Sequence, residues 1–202
     1  MPSRLKRFHE SGQSHFVTFS CYRRRPLLIA NGVKRTFETA LERVRLSFKF
    51  SVYGYVIMPE HVHLLVSEPE RETLADAIKS LKQGVSRRLM RSGTRKDEGA
   101  PFKPALSEPK ASRTGGLSGV EEHFWQKRYY DFNVRDLRQF VEKLRYIHRN
   151  PVKRGLCECA EDWEWSSFRH YSSGIQGCVE IESEWTARMR ERAAGRLLPV
   201  VK

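Results

Sequence analysis

The chain has 202 residues, of which 39% are hydrophobic and 30% charged, enough for one well-cored domain with an appendage. Its apolar runs last only a few residues, far below the roughly 20 that cross a bilayer. The basic start "MPSRLKRFHE" has no apolar stretch behind it, so neither a membrane span nor a secretory signal is expected. Thirty-seven Lys and Arg against 24 Asp and Glu leave a net charge of +13. Such an excess suits a polyanion, because each phosphate met by Lys or Arg releases condensed counterions; plain solubility is the blander alternative.

Taken in chain order, "HFVTFSCY" (15–22) alternates and is rich in β-formers, which predicts a strand. A helix is expected over 31–46, where Val33, Phe37, Ala40, Leu41 and Val44 recur at helical spacing. Residues 49–58 and 61–67 read as an antiparallel hairpin closed by a tight turn at Pro59-Glu60. Leu74, Ile78, Leu81, Val85 and Leu89 stripe a second helix between Glu72 and Met90. Residues 92–123 lose all periodicity and are rich in Gly, Pro, Ser and charge, as a long loop or disordered insert would be. "FWQKRYYDF" then predicts a short edge strand, followed by a helix from about Arg135 to Arg149 that stops at Asn150-Pro151. "DWEWSSFRHYSS" reads as a short helix or turn, and beyond Gly174 only "SEWTARMRERAAGRLL" has helical character. The order β-α-β-β-α-β is that of an α+β, ferredoxin-like split βαβ antiparallel sheet with helices on one face; the later helix is an addition.

Cys21, Cys157, Cys159 and Cys178 form no regular disulfide framework, which points to a reducing, cytosolic compartment. The C-x-C of Cys157 and Cys159 lacks the second half of a four-ligand zinc set.

Two features carry chemistry. Alternation in the third strand puts His61, His63 and Leu65 on one face and Val62, Leu64 and Val66 on the other. If the apolar trio packs under the helices, both histidines face the open side, close enough to share a cation. For H-x-H alone, solvated or hydrogen-bonded imidazoles are the default. In the helix "RDLRQFVEKLRYIHRNP", Leu137, Phe140, Val141, Leu144 and Ile147 form the stripe expected to be buried. Tyr146 and Asn150, one turn apart, then point away from the core. Together, two imidazoles and the Asn150 amide suit a hard divalent cation. Such an ion polarises a phosphodiester, and the Tyr146 phenol is a nucleophile able to form a covalent phosphotyrosine.

The blocks "YGYVIMPEHVHLLV", "FWQKRYYDFNVRD", "YIHRNPVKRGL" and "DWEWSSFRHY", in this order, resemble the REP-associated tyrosine transposases. These are single-tyrosine members of the HUH nuclease and insertion-sequence transposase superfamily. The resemblance places the transposase domain at 1–172, with 92–123 as an insert and 173–202 as a basic tail. It matches His61 and His63 to the family's His-hydrophobic-His motif, Tyr146 to its nucleophile and Asn150 to its third metal ligand. It implies Mg²⁺ or Mn²⁺, attack on single-stranded DNA beside short hairpins such as repetitive extragenic palindromes, a 5′-phosphotyrosine and a free 3′-OH. Action at the nucleoid, as a monomer or a homodimer, follows from the same resemblance.

Arg23, Arg24 and Arg25 after the first strand, with Lys127, Arg128, Lys153 and Arg154, are the candidate DNA contacts; a solvated face is the alternative for each. Trp125, Trp163 and Trp165 suit base stacking or core packing. Glu60 is placed to orient an imidazole or serves only the turn. Tyr129 and Tyr130 are rival nucleophiles, but no paired amide accompanies them. Two other functions stay open: a derived protein that holds DNA hairpins without cutting them, and a zinc hydrolase on His61, His63 and a cysteine or carboxylate. The second lacks an H-E-x-x-H or C-x-x-C partner.

Overall fold

The computed structural model describes residues 14–93 and 123–194, with backbone alone at 92 and 93. The proposed insert therefore lies outside the described residues except at its ends, as does the tail beyond 194. The elements are β1 (Ser14–Ser20), α1 (Asn31–Phe48), β2 (Val52–Ile57), β3 (His61–Ser67), α2 (Leu74–Gly93), β4 (Tyr130–Val134), α3 (Leu137–Lys153), α4 (Phe168–Ser173) and α5 (Glu184–Ala193). The strands form one sheet in the order β2-β3-β1-β4, every pair antiparallel. That is the expected α+β split βαβ arrangement. The edge strand is shorter than predicted: Trp125 makes only an isolated bridge to Cys21 before β4 begins.

Alternation divides the core between the two faces of the sheet. Val17 and Phe19 of β1 and Val62, Leu64 and Val66 of β3 pack with Phe37, Leu41 and Val44 of α1 and Ile78, Leu81 and Val85 of α2. Phe16, Val56 and Leu65 pack on the opposite face with Ile147 of α3, joined by the partly buried Phe140 and Leu144. Burial of one such side chain stabilises the fold by about 1.5–3 kcal/mol, so a one-residue slip of β3, exchanging its faces, is strongly disfavoured. The face read as open in the sequence is covered by α3.

A bulge lets α3 come close. Val52 pairs with Val66 but Gly54 pairs with Leu65, leaving Tyr53 as the extra residue. Tyr53 and Gly54 both serve the α3 side: the Tyr53 ring meets Phe140 edge-on at 5.2 Å. A Cβ on Gly54 would lie 2.6 Å from Leu144 Cδ1 and 3.3 Å from Ser167 Oγ.

The ends of α3 are fixed by local bonds. The Asp136 side chain accepts from the Gln139 N–H at 2.8 Å, an N-cap. The helix does not stop at Asn150-Pro151 but runs through Pro151 to Lys153. Proline removes only the bond to the Ile147 carbonyl, and one further turn forms, with Ile147, Asn150 and Pro151 all buried. Gly155, at φ 65°, ends it. Its N–H donates to the Val152 carbonyl at 2.9 Å, and the Leu156 N–H donates to the Pro151 carbonyl at 3.0 Å. These two bonds are a Schellman closure.

Beyond Gly174 the chain contributes Val179 and Ile181 to the α1/α2 core, and the Glu182 N–H donates to the Val52 carbonyl at 2.8 Å. Trp125 and Trp165 are buried in that core, so packing, not base stacking, accounts for them. Among the described residues no helix is long and apolar enough to cross a membrane.

Gly54→Val should force Leu144 and Ser167 outward and lower stability by about 1–3 kcal/mol, measured by urea denaturation; an unchanged midpoint would show that α3 does not need this close approach.

Candidate active site

β3 brings its two histidines together from inside the sheet. Thr18 of β1 is registered opposite His63, and Ser20 opposite His61. His63 is 4% exposed, and its Nδ1 lies 2.7 Å from Thr18 Oγ1. Its ring stacks on Phe16 with centroids 5.4 Å apart. His61 Nε2 faces His63 Nε2 at 3.0 Å. The turn before β3 is pinned, because Cys21 and Leu28 donate their N–H groups to the Glu60 and Pro59 carbonyls, each at 2.8 Å. Glu60 Oε1 then sits 3.1 Å from His61 Nδ1, close but too far off-axis for an aligned hydrogen bond.

α3 supplies the rest. The Tyr146 ring meets His63 edge-on at 5.1 Å and Phe16 at 5.8 Å, while remaining 42% exposed. Asn150 is 5% exposed, and its Nδ2 donates to His63 Nε2 at 3.1 Å. This corrects the expectation that Asn150 points away from the core, whereas Tyr146 stays half-exposed at the flank of the helix. The sheet receives the flank of α3 as well as its stripe, whereas Leu137, expected in that stripe, is 77% exposed. Hydrophobic spacing locates only the apolar part of a buried surface, and the part that meets His63 is polar.

Burial disfavours charge on both imidazoles. It pushes His63 down to about 3, helped by the charges of His61, Arg24 and Lys143. His61 is also lowered, chiefly by burial, with Glu60 acting in the opposite direction and Arg154 and Arg24 adding to the fall. Both rings are thus neutral near pH 7. The Thr18 hydroxyl and the Glu60 carboxylate attract the ring protons to the Nδ1 atoms. Two Nε2 lone pairs then face each other. Asn150 Oδ1 is buried with no hydrogen-bond partner.

An orphaned amide oxygen beside two facing imidazole nitrogens fits a divalent cation. A separation of 3.0 Å is that of adjacent corners of an octahedron with bonds of about 2.1 Å. His61, His63 and Asn150 are the residues that would hold the ion. Among the described residues no group of three or more His, Cys, Asp or Glu is placed to bind a metal, and all four cysteines are free. The set needed for the zinc-hydrolase alternative is therefore not assembled there.

The basic candidates divide. Arg23 and Arg24 sit in a 3-10 turn after β1, both left-handed at φ 52° and 53°. Arg24 is near enough for its charge to act on both histidines. Arg154 donates to Glu60 Oε1 at 2.8 Å, so its charge is paired at the site's edge. Arg25 is half-buried; Lys127 and Arg128 are exposed before β4, and Lys153 in the last turn of α3. Of the rival nucleophiles, Tyr130 is exposed at the start of β4 and Tyr129 is partly buried. Thr18 and Phe16 were not singled out from the sequence. Their signal was the alternation of "HFVTFS", which becomes informative only once β1 is known to lie beside β3.

Known proteins resemble this chain in sequence and in fold. Residues 9–103, which include the histidine pair, match the family described as Transposase IS200 like. A Haemophilus influenzae protein assigned to the REP-associated tyrosine transposases is 27% identical over 170 residues, covering 82% of this chain and 85% of the relative. The REP-associated tyrosine transposase of Escherichia coli (strain K12) is 22% identical over 193 residues, 96% of each chain. Over most of its length, then, this chain is similar to REP-associated tyrosine transposases. The fold of a family member solved bound to a REP hairpin matches it with a TM-score of 0.62, at 20% identity, over 90% of this chain and 92% of that one. Both relatives are matched well beyond the end of the IS200-like region.

His148, on the α4 side of α3, is buried against Ser167 and pushed down to about 4. His15 behaves oppositely: burial lowers it, but its contacts with Asp131 and Glu68 outweigh that and raise it. Below pH 6.5 the unfolded chain takes up protons that His63 and His148 refuse in the fold. Their contribution to stability is therefore lost as pH falls from 6.5 toward about 4 and 3, at about 1.4 kcal/mol per pH unit for each group. In EDTA, NMR should show both rings unprotonated down to about pH 5, with His15 titrating above 6.5; a midpoint near 6.5 for His63 would contradict its burial.

Proposed function

We propose that this transposase cuts and rejoins single-stranded DNA beside hairpins of the REP type, through a 5′-phosphotyrosine at Tyr146 with a divalent metal, Mg²⁺ or Mn²⁺. The observation that carries the reading is the contact of the Tyr146 ring with His63, which puts a half-exposed phenol beside the facing imidazoles and the orphaned Asn150 oxygen. The named function of the relatives supports it, as does the hairpin bound by the structural neighbour.

In this reading Tyr146 Oη attacks phosphorus as its proton passes to solvent. The bond from phosphorus to the 3′-oxygen breaks, and that oxygen takes up a proton to become a free 3′-OH. The 5′ side of the break stays on Tyr146. Rejoining reverses the step: a 3′-OH attacks the phosphotyrosine and the phenol leaves. The metal, when bound, withdraws charge from the phosphate oxygens. Thr18 and Glu60 hold the histidine rings, and α3 sets Tyr146 at a fixed height above them. Because α3 packs on its own sheet, one chain assembles His61, His63, Tyr146 and Asn150. Arg24, Lys127, Arg128 and Lys153, with Arg23 and Arg25, are the proposed grip on the DNA backbone.

Incubation with a labelled DNA hairpin bearing a single-stranded flank and Mn²⁺ should yield a covalent adduct. Tyr146→Phe should abolish it, with the thermal midpoint unchanged. Hairpin binding without an adduct, across a fair set of sequences, would instead indicate a protein that holds DNA and does not cut it. Thr18→Val should weaken Mn²⁺ binding by about 10- to 100-fold in calorimetry; affinity equal to the unmodified protein would remove Thr18 from the site.

A further inference from the structure

Lys143 belongs to the site although no motif marks it. It stands three residues before Tyr146 in α3, on the same side of the helix. Its ammonium lies 4.9 Å from the centre of the Phe16 ring and 4.4 Å from that of Phe132. Phe16 is the ring that stacks on His63 and meets Tyr146 edge-on. One aromatic surface from β1 thus seats a cation, a phenol and an imidazole together.

The charge on Lys143 has no counterpart among the described residues. Among the described residues no carboxylate pairs with it, in contrast to Arg154, which Glu60 neutralises at 2.8 Å. Its field reaches His63 together with that of Arg24. Two cations with no carboxylate partner among the described residues thus flank neutral imidazoles in a partly buried setting, where unscreened positive charge calls for an anion. The two rings also hold the lysine ammonium, reducing the rotamer freedom the side chain would lose on gripping a ligand.

We propose that Lys143 binds a phosphodiester of the DNA strand whose scissile bond lies at Tyr146, fixing that strand along α3. The inference rests on the proposed function and adds a contact to it. No covalent step is assigned to Lys143; it is a DNA-binding residue inside the site.

The test uses the full chain carrying Tyr146→Phe, so that binding is read without cleavage, and a fluorescent DNA hairpin with an oligo(dT) flank. Lys143→Met keeps an apolar stem over the rings and removes the charge. It should weaken binding about 3- to 10-fold near 0.1 M salt and reduce the log–log salt slope by about 0.7; Lys143→Arg should restore both. Neutral methylphosphonates placed singly along the flank should find one position that weakens the lysine protein but not Lys143→Met. An unchanged salt slope, with every methylphosphonate acting equally on both proteins, overturns the proposal. So does a loss that Lys143→Arg fails to restore, which would make the residue a packing element. If Lys143→Met does not fold, the same comparison with Lys143→Gln decides. Failure of the protein with Tyr146 intact to form an adduct counts against the proposed reaction, whereas an unchanged slope counts against Lys143 alone.

Discussion

β3 is buried on both faces, and the remainder of the site depends on that burial. Val62, Leu64 and Val66 are fully enclosed beneath α1 and α2, while His61 and His63 are enclosed on the other side by α3 and β1. Two imidazoles taken out of water are costly unless their polar atoms are met. Thr18 and Asn150 meet the two nitrogens of His63 at 2.7 and 3.1 Å, while Glu60 approaches His61 Nδ1 at 3.1 Å without an aligned hydrogen bond. What is left over is chemically specific: Nε2 atoms turned toward one another and a carbonyl oxygen with no donor. An ordinary core would not leave such a combination, and it is the donor set that the proposed cation would use.

The second constraint is rigid geometry. Tyr146, Asn150 and Lys143 reside on one helix, so their spacing is set by 3.6 residues per turn and not by loops. The helix is held at both ends by Asp136 and the Gly155 closure. Along its length it is seated by the bulge at Tyr53 and the missing side chain of Gly54. These positions are remote from the chemistry, yet they decide how far the phenol stands from the histidine pair.

Much of this was legible in the sequence. Strand alternation correctly separated His61 and His63 from the valines, and helical spacing located α1, α2 and most of α3. The order of elements predicted the split sheet. The errors share a cause. Pro151 was read as a stop because its local effect is adverse, but packing of Ile147, Asn150 and Pro151 outweighed one lost hydrogen bond. Asn150 was placed facing outward because an amide leaves no hydrophobic signature. Val179 and Ile181 were passed over because the strand-like contact there, of Ile181 with Val52, is a long-range bridge with no local pattern.

By itself, then, the sequence determined the class of fold, the excess of positive charge and the two short motifs bearing histidines, tyrosine and amide. Their periods are local properties of strands and helices, so they can be read residue by residue. Only the tertiary structure decided that α3 covers the histidine face, that Thr18 and Glu60 hold the rings, and that Lys143 shares the Phe16 surface with Tyr146. Those relations join residues far apart in the chain. They depend on which strands become neighbours and how closely a helix can approach them, and neither is written in any single stretch.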